Sequence, residues 1–194
     1  MNQEYKHEPK KSEIILTRLI GSTVLQKYYD DFIRELELDR YDVVLDYCAG
    51  AGQISSRAAR KVTEGKLVYA DVSSSWQAFA SKKLSKCKVA RKCLFHSFDR
   101  KLLIGQYDKI IMHFVIHDID AKYRMAVINH MVMNLKKDGM IYIREPVDDV
   151  HGLKLYELIN MIEATKVLTY DYVVRESFLI GKYADLRCRL RKEA

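Results

Sequence analysis

DVVLDYCAGAGQ, residues 42–53, is a short apolar run rich in β-branched residues that ends in Asp46 and then turns through Gly50 and Gly52. The segment ISSRAARKV that follows resumes a helical pattern, so the whole reads as strand, glycine-rich turn, helix. In open α/β sheets ligands sit at the carboxyl ends of the strands, where missing side chains let backbone approach them. A glycine-rich turn by itself can equally be a tight connection, so the flanking sequence has to decide.

Upstream, Val24, Leu25, Tyr28, Phe32, Ile33 and Leu36 recur at three- and four-residue spacing between Thr23 and Leu38, which predicts an amphipathic helix. Downstream, KLVYAD gives a second strand, followed by Ser73 as N-cap of a helix that turns Trp76, Phe79, Ala80 and Leu84 inward. CLFHSF reads as a third strand and YDKIIMHFVI as a fourth. Met125, Ile128, Val132 and Leu135 mark the helix after it, and GMIYIRE is the fifth strand. Beyond Pro146 a helical run carries Leu155, Leu158, Ile159 and Ile162. Two strand-like stretches, TYDYVVRESFLI and KYADLRCRL, then flank Gly181. Alternating strands and helices predict a mostly parallel α/β sheet covered on both faces, and a terminal hairpin inserts one antiparallel strand into it. The glycines are all placed outside the apolar runs, where turns belong.

With 194 residues, 48% of them hydrophobic and 30% charged, the chain suits one globular domain and not a disordered segment. No linker or repeat divides it, so 1–194 is taken as a single domain: an N-terminal helical lid (1–38), a core (40–147), and a C-terminal helix and hairpin (148–194). No apolar run approaches the length of a membrane span, and MNQEYKHEPKK lacks the apolar stretch of a signal peptide, which points to the cytosol. Cys48, Cys87, Cys93 and Cys188 form neither a CxxC pair nor a zinc set, so reduced thiols and no metal are expected. The net charge of +7 is spread along the chain. Solvated lysine and arginine faces explain it more simply than nucleic-acid binding does.

Two further aspartates follow strand ends. Asp71 closes the second strand, where an acid can accept hydrogen bonds from both hydroxyls of a ribose, and Asp99 lies just after the third, where it could accept from an adenine amino group. Each alone suits a cap or a turn; the ordered set is harder to explain that way.

In order, LDYCAGAG, VYADVS, SFD, YDKIIMHFVIHDI and LKKDGMIYIREP resemble the class I S-adenosylmethionine-dependent methyltransferases over roughly residues 40 to 147. The resemblance implies a Rossmann-like fold with a seven-stranded, mostly parallel sheet, S-adenosylmethionine as cofactor and S-adenosylhomocysteine as product. It gives Gly50 and Gly52 the methionine part of the cofactor, Asp71 with the neighbouring Val72 the ribose, and Asp99 the adenine. Asp46 would shape the turn and orient the cofactor's amino group through water, and Gln53 opens the next helix at the ligand. Cys48 takes the place of the family's first glycine, so the contact there must accommodate a side chain; the thiol itself is read as packing, not catalysis.

Methyl transfer is an in-line displacement at an activated carbon, so the protein mainly positions the acceptor and manages its proton. MHFVIHDID should do this, with His113 as a pocket wall near the cofactor's methionine end and His117 as candidate base. IHDID resembles the HD-containing loop of O-methyltransferases, which places Asp118 beside that base. Glu145, at the end of the fifth strand, ranks third, since strand-end glutamates are mostly solvated. Tyr5, Tyr28 and Tyr29 could belong to a lid, although tyrosines on such a helix are more often core.

The fourth-strand segment lacks an N/D-P-P-Y string, which argues against the branch that methylates planar amide or adenine nitrogens. A small-molecule acceptor is favoured over RNA or protein because no recognition domain is added. A silent cofactor-binding domain is the third alternative. A nicotinamide-binding domain, suggested by Gly50, Gly52 and Ser55 imitating GxGxxG, ranks lower because Asp46 directly precedes the turn and no proton donor is recognisable. Neither the acceptor nor the oligomeric state is specified by the sequence.

Overall fold

The structure, a computed structural model, describes residue 9 and residues 25–94, 106–148 and 152–191. Tyr5, Asp99 and most of the expected lid lie outside them. The chain divides into two compact units, residues 1–103 and 104–194.

The first unit runs α1 (Gln26–Glu35), β1 (Val43–Tyr47), α2 (Gln53–Ala58), β2 (Lys66–Asp71), α3 (Ser74–Leu84) and β3 (Ala90–Leu94). Its strands lie in the order β3-β2-β1, all parallel, with Val43 opposite Lys66 and Leu67 opposite Ala90. Strands of a parallel sheet are covered on both faces and therefore read as unbroken apolar runs. Val44, Leu45, Leu67, Val68, Tyr69 and Ala70 are accordingly all buried. The helix expected from Thr23 to Leu38 is observed over Gln26–Glu35, with Phe32, Ile33 and Leu36 buried. Ser73 caps α3 as expected, its Oγ accepting the Trp76 N–H at 3.1 Å. Of the four residues expected to face inward from α3, Ala80 and Leu84 are buried while Trp76 and Phe79 are half-buried. Gln77 occupies the core instead, where its Nε2 donates to the Tyr69 carbonyl at 3.1 Å.

The second unit comprises β4 (Tyr107–His113), a 3₁₀ turn (Ile116–Asp118), α4 (Ala121–Asn134), β5 (Leu135–Pro146), α5 (Leu155–Ala164), β6 (Leu168–Ser177) and β7 (Gly181–Leu190). Its strand order is β4-β5-β7-β6: β4 and β5 are parallel, and β7 is antiparallel to both β5 and β6. The C-terminal hairpin thus inserts one antiparallel strand, as its sequence predicts. Gly181 adopts φ +72 at the return of the hairpin, a backbone region that costs glycine little. Several boundaries differ from expectation, among them that of β6, which ends at Ser177 and not at Ile180. β4 stops at His113, because Phe114 adopts φ +57 and turns the chain into the 3₁₀ segment. β5 begins at Leu135, so Leu135 is a strand residue and Gly139 lies inside a strand and not in a turn. Leu158 and Ile162 of α5 are fully buried, each worth roughly 1.5–3 kcal/mol relative to exposure.

Among the described residues no helix is long and apolar enough to cross a membrane, and no group of three His, Cys, Asp or Glu side chains could hold a metal ion.

Candidate cofactor and catalytic sites

At the carboxyl ends of β1 and β2 the first unit gathers Asp46, Cys48, Gly50, Gly52, Gln53, Asp71 and Val72. The turn between β1 and α2 is built on three left-handed residues, Cys48 (φ +59), Gly50 (φ +51) and Gly52 (φ +68). A non-glycine residue there is strained, and such residues cluster at functional sites. Cys48 therefore adopts a backbone conformation that ordinarily favours glycine.

The two glycines have different reasons to be glycine. A Cβ on Gly52 would lie 3.1 Å from the Cβ of Ala80, so its missing side chain lets α3 pack against the turn. A Cβ on Gly50 would meet nothing within 4 Å, so the backbone there borders open space. The Gly50 N–H donates to Asp71 Oδ2 at 2.8 Å, and the Ser73 N–H donates to Asp71 Oδ1 at 2.9 Å. The carboxylate is thereby fixed at the strand end, and each of its oxygens can accept more than one hydrogen bond.

Asp46 is buried, and Ser55 Oγ from α2 donates to it. Burial pushes its carboxyl up to about 7; the Ser55 bond opposes this and the nearby Asp71 charge adds to it. Asp46 thus faces the protein interior and braces the turn from behind. Gln53, also buried, receives Arg57 Nη1 at 3.1 Å and Lys83 Nζ at 2.6 Å on its Oε1. Its Nε2 is buried with no hydrogen-bond partner among the described residues. Buried donors are rarely left unmatched, which singles out this atom. Arg57 also donates to Asp30 at 2.6 Å and lies over the Tyr29 ring at 5.1 Å, which ties α1 to α2. Tyr29 and the adjacent Tyr28, both half-buried, meet edge to face with ring centroids 5.4 Å apart.

In the second unit, His113 ends β4, Phe114 and His117 follow it, and Glu145 lies at the end of β5. Glu145 has no solvent exposure, which overturns the expectation of a solvated strand-end glutamate. Its Oε1 accepts the N–H groups of Val115 at 2.7 Å and Ile116 at 2.6 Å, and its Oε2 meets His117 Nδ1 at 2.7 Å. A carboxylate oxygen accepts, so in the neutral form of the ring Nδ1 carries the proton and Nε2 the lone pair, while in the imidazolium both nitrogens are protonated. Asp118 Oδ1 is 3.5 Å from that Nε2. Burial pulls the His117 pKa down, but the Glu145 hydrogen bond and charge, with Asp118, outweigh it and leave a net rise.

His113 behaves in the opposite way. Burial and the neighbouring Arg144 charge push it down to about 3, so it is neutral and a poor base near pH 7. Its ring stacks on Phe114 with centroids 4.6 Å apart, as suits a wall. Sequence reasoning missed one cluster altogether. Arg144, 2% exposed, forms a two-point ion pair with Asp185 on β7, which Arg175 on β6 also contacts at 3.0 Å. A charged residue on three neighbouring strands is invisible to periodicity; the charged pair Arg144 and Glu145 closing an apolar strand is the available clue.

Residues 44–139 match the profile of the family described as Methyltransferase domain. No curated protein matches the chain. Among solved structures, a SAM-dependent methyltransferase from Aquifex aeolicus aligns with TM-score 0.74 at 18% identity, covering 94% of this chain and 100% of that one. The N-methyltransferase NodS from Bradyrhizobium japonicum WM9, in complex with S-adenosylhomocysteine, aligns at 0.73 and 15% identity over 98% and 95%. Magnesium protoporphyrin IX methyltransferase from Synechocystis PCC 6803, with bound S-adenosylmethionine, aligns at 0.66 and 15% over 94% and 86%. Together with the strand-end carboxylates and the left-handed turn, these matches place the chain among the class I S-adenosylmethionine-dependent methyltransferases, a family of enzymes.

Proposed function

We propose that this enzyme, a single cytosolic domain over 1–194, methylates a small-molecule acceptor and that His117 removes the acceptor's proton. The observation that supports the role of His117 is the buried Glu145, whose Oε2 lies 2.7 Å from Nδ1 and leaves Nε2 of the neutral ring available to accept a proton. His113 is too acidic for that task near neutral pH.

The residues present fit the cofactor. Gly50 offers backbone beside open space, Asp71 is a fixed acceptor at a strand end, and Gln53 Nε2 is a buried donor with no partner among the described residues. When bound, S-adenosylmethionine supplies a methyl carbon already activated by its sulfonium. Gly50, Asp71 and Val72 would hold it, with Gln53 completing the pocket; Cys48 and Gly52 shape the turn and Asp46 braces it. Asp99 is proposed for the adenine from its sequence position alone. His117 then accepts the proton of the attacking hydroxyl or amine, and Glu145 stabilises the imidazolium that forms.

The test is release of S-adenosylhomocysteine from S-adenosylmethionine with a panel of small hydroxyl and amine acceptors, using wild type, His117→Gln and Asp71→Ala. Turnover with a small acceptor, lost in His117→Gln while cofactor binding persists, supports the proposal. Turnover only with RNA or protein, with affinity that collapses as salt is added, would replace the small-molecule acceptor. Cofactor binding without any turnover would leave a silent domain.

A further inference from the structure

β6 is the edge strand of the second unit: it pairs with β7 on one side and, among the described residues, with no strand on the other. Eight large apolar or aromatic side chains are exposed among the described residues. Five of them, Val167, Tyr172, Val173, Phe178 and Leu179, belong to this strand or its immediate ends. A long edge of this kind is a template for another strand, and monomeric proteins normally blunt it with charged side chains, especially lysine, with proline or with a bulge. LTYDYVVRES contains neither proline nor lysine, its ladder with β7 has no register break, and its charged residues are Asp171, Arg175 and Glu176.

Backbone polarity limits how a second strand could dock. The Arg191 N–H donates to the Val167 carbonyl at 2.8 Å, so residues 167, 169, 171, 173 and 175 direct their peptide groups at β7. Residues 168, 170, 172, 174 and 176 direct theirs at the open edge. Leu168 agrees, since its N–H goes to Thr165 Oγ1 at 3.3 Å and its carbonyl accepts Arg191 Nε at 3.2 Å. Two copies pairing antiparallel about a two-fold axis must therefore set even-numbered residues opposite even-numbered ones.

Of the permitted registers, the one centred on Val173 is complementary to itself. It sets Tyr172 opposite Val174 and Tyr170 opposite Glu176 as hydrogen-bonded pairs. Asp171 then faces Arg175 twice, in the non-hydrogen-bonded pairs where side chains approach most closely. Moving the centre to Tyr172 or Val174 sets Asp171 against Val173 or Ser177 and loses both charge pairs. Asp171 and Arg175 are well exposed, at 67% and 42% of their side chains, with Asp171 Oδ2 3.9 Å from Arg189 Nη2. Arg175 contacts Asp185 through Nε, and a guanidinium has five N–H donors.

We propose that the chain forms a two-fold homodimer through antiparallel β6–β6 pairing centred on Val173. The inference does not depend on the catalytic proposal.

The experiment is sedimentation velocity of the full chain over a concentration series, with thermal melts to verify folding. Tyr172→Pro deletes one outward N–H and leaves the bonds to β7 in place. Asp171→Arg sets like charges opposite each other, and combining it with Arg175→Asp restores the complement. Val173→Cys places two thiols on the axis, within disulfide range, for mild oxidation and a non-reducing gel alongside oxidised wild type. The expected result is a wild-type dimer, association weakened about tenfold or more in Tyr172→Pro and Asp171→Arg, recovery in the double variant, and a covalent dimer specific to Val173→Cys. A monomer at every concentration would overturn the proposal, as would a dimer that neither crosslinks at 173 nor responds to these substitutions.

Discussion

Glu145 joins two strands and a turn through one carboxylate, and the chemistry assigned to His117 depends on it. His117→Ala should lower kcat by about 10²–10⁴-fold while leaving the dissociation constant of S-adenosylhomocysteine unchanged, as measured by calorimetry and steady-state rates. Because the base works only when neutral and its pKa is raised, the acid limb of the pH–rate profile should lie above the ordinary histidine value of 6.5. Glu145→Gln should move that limb to lower pH; a limb that stays put would remove Glu145 from the positioning role. The same linkage makes the His117–Glu145 contact contribute stability that is full below pH 6.5 and lost as pH rises through the folded value. Asp46 titrates the other way round from an ordinary paired carboxylate. Its folded value of about 7 exceeds its unfolded one of 3.8, so the folded state holds the extra proton and stability falls as pH rises between the two, by roughly 4 kcal/mol at most. Asp46→Asn should flatten that part of the stability–pH curve in denaturant titrations. His117 was named from IHDID and Glu145 from its strand end, whereas the contact between them was not legible. They are 28 residues apart, and only the parallel register setting His113 opposite Arg144 brings the two strand ends together.

Within the turn between β1 and α2, the alternation of glycines announced a break in the pattern but not what each glycine is for. Gly52→Ala meets both a φ of +68 and the Cβ of Ala80 at 3.1 Å, so it should destabilise the fold by more than the ~1–2 kcal/mol of left-handed strain alone. Gly50→Ala meets only the strain, and its main effect should be on cofactor affinity, because the new methyl group projects into the open space. Chemical denaturation and calorimetry on the two variants separate these outcomes; equal loss of stability in both would refute the distinction. The elements themselves were largely legible. Buried parallel strands announce themselves as apolar runs, and two consecutive strand-like stretches around Gly181 announced the hairpin. Strand ends were less legible, since FVI continues the apolar run of β4 while the left-handed Phe114 ends the strand one residue after His113. The ion pairs of Arg144 and Arg175 with Asp185 were hidden for a related reason: the register that aligns β5 and β7 is set by tertiary pairing, which no local pattern encodes.

For the molecule as a whole, the family was legible because its motifs follow one another in a fixed order along some hundred residues, and no single motif had to bear the inference. The acceptor was not, because small-molecule recognition rests on side chains that share no spacing rule. A ligand that binds only the folded chain must raise its melting temperature, by an amount corresponding to ~2.7 kcal/mol at a hundredfold excess over Kd. The measurement to make first is calorimetric titration of wild type and Asp71→Asn with S-adenosylhomocysteine, with thermal melts of both to confirm that each is folded. If the ends of β1 and β2 hold the cofactor, wild type binds and the substitution, which weakens two charge-assisted hydrogen bonds, reduces affinity by about 30-fold or more. Folded wild type that does not bind, or a variant that binds as tightly, would contradict that placement of the cofactor.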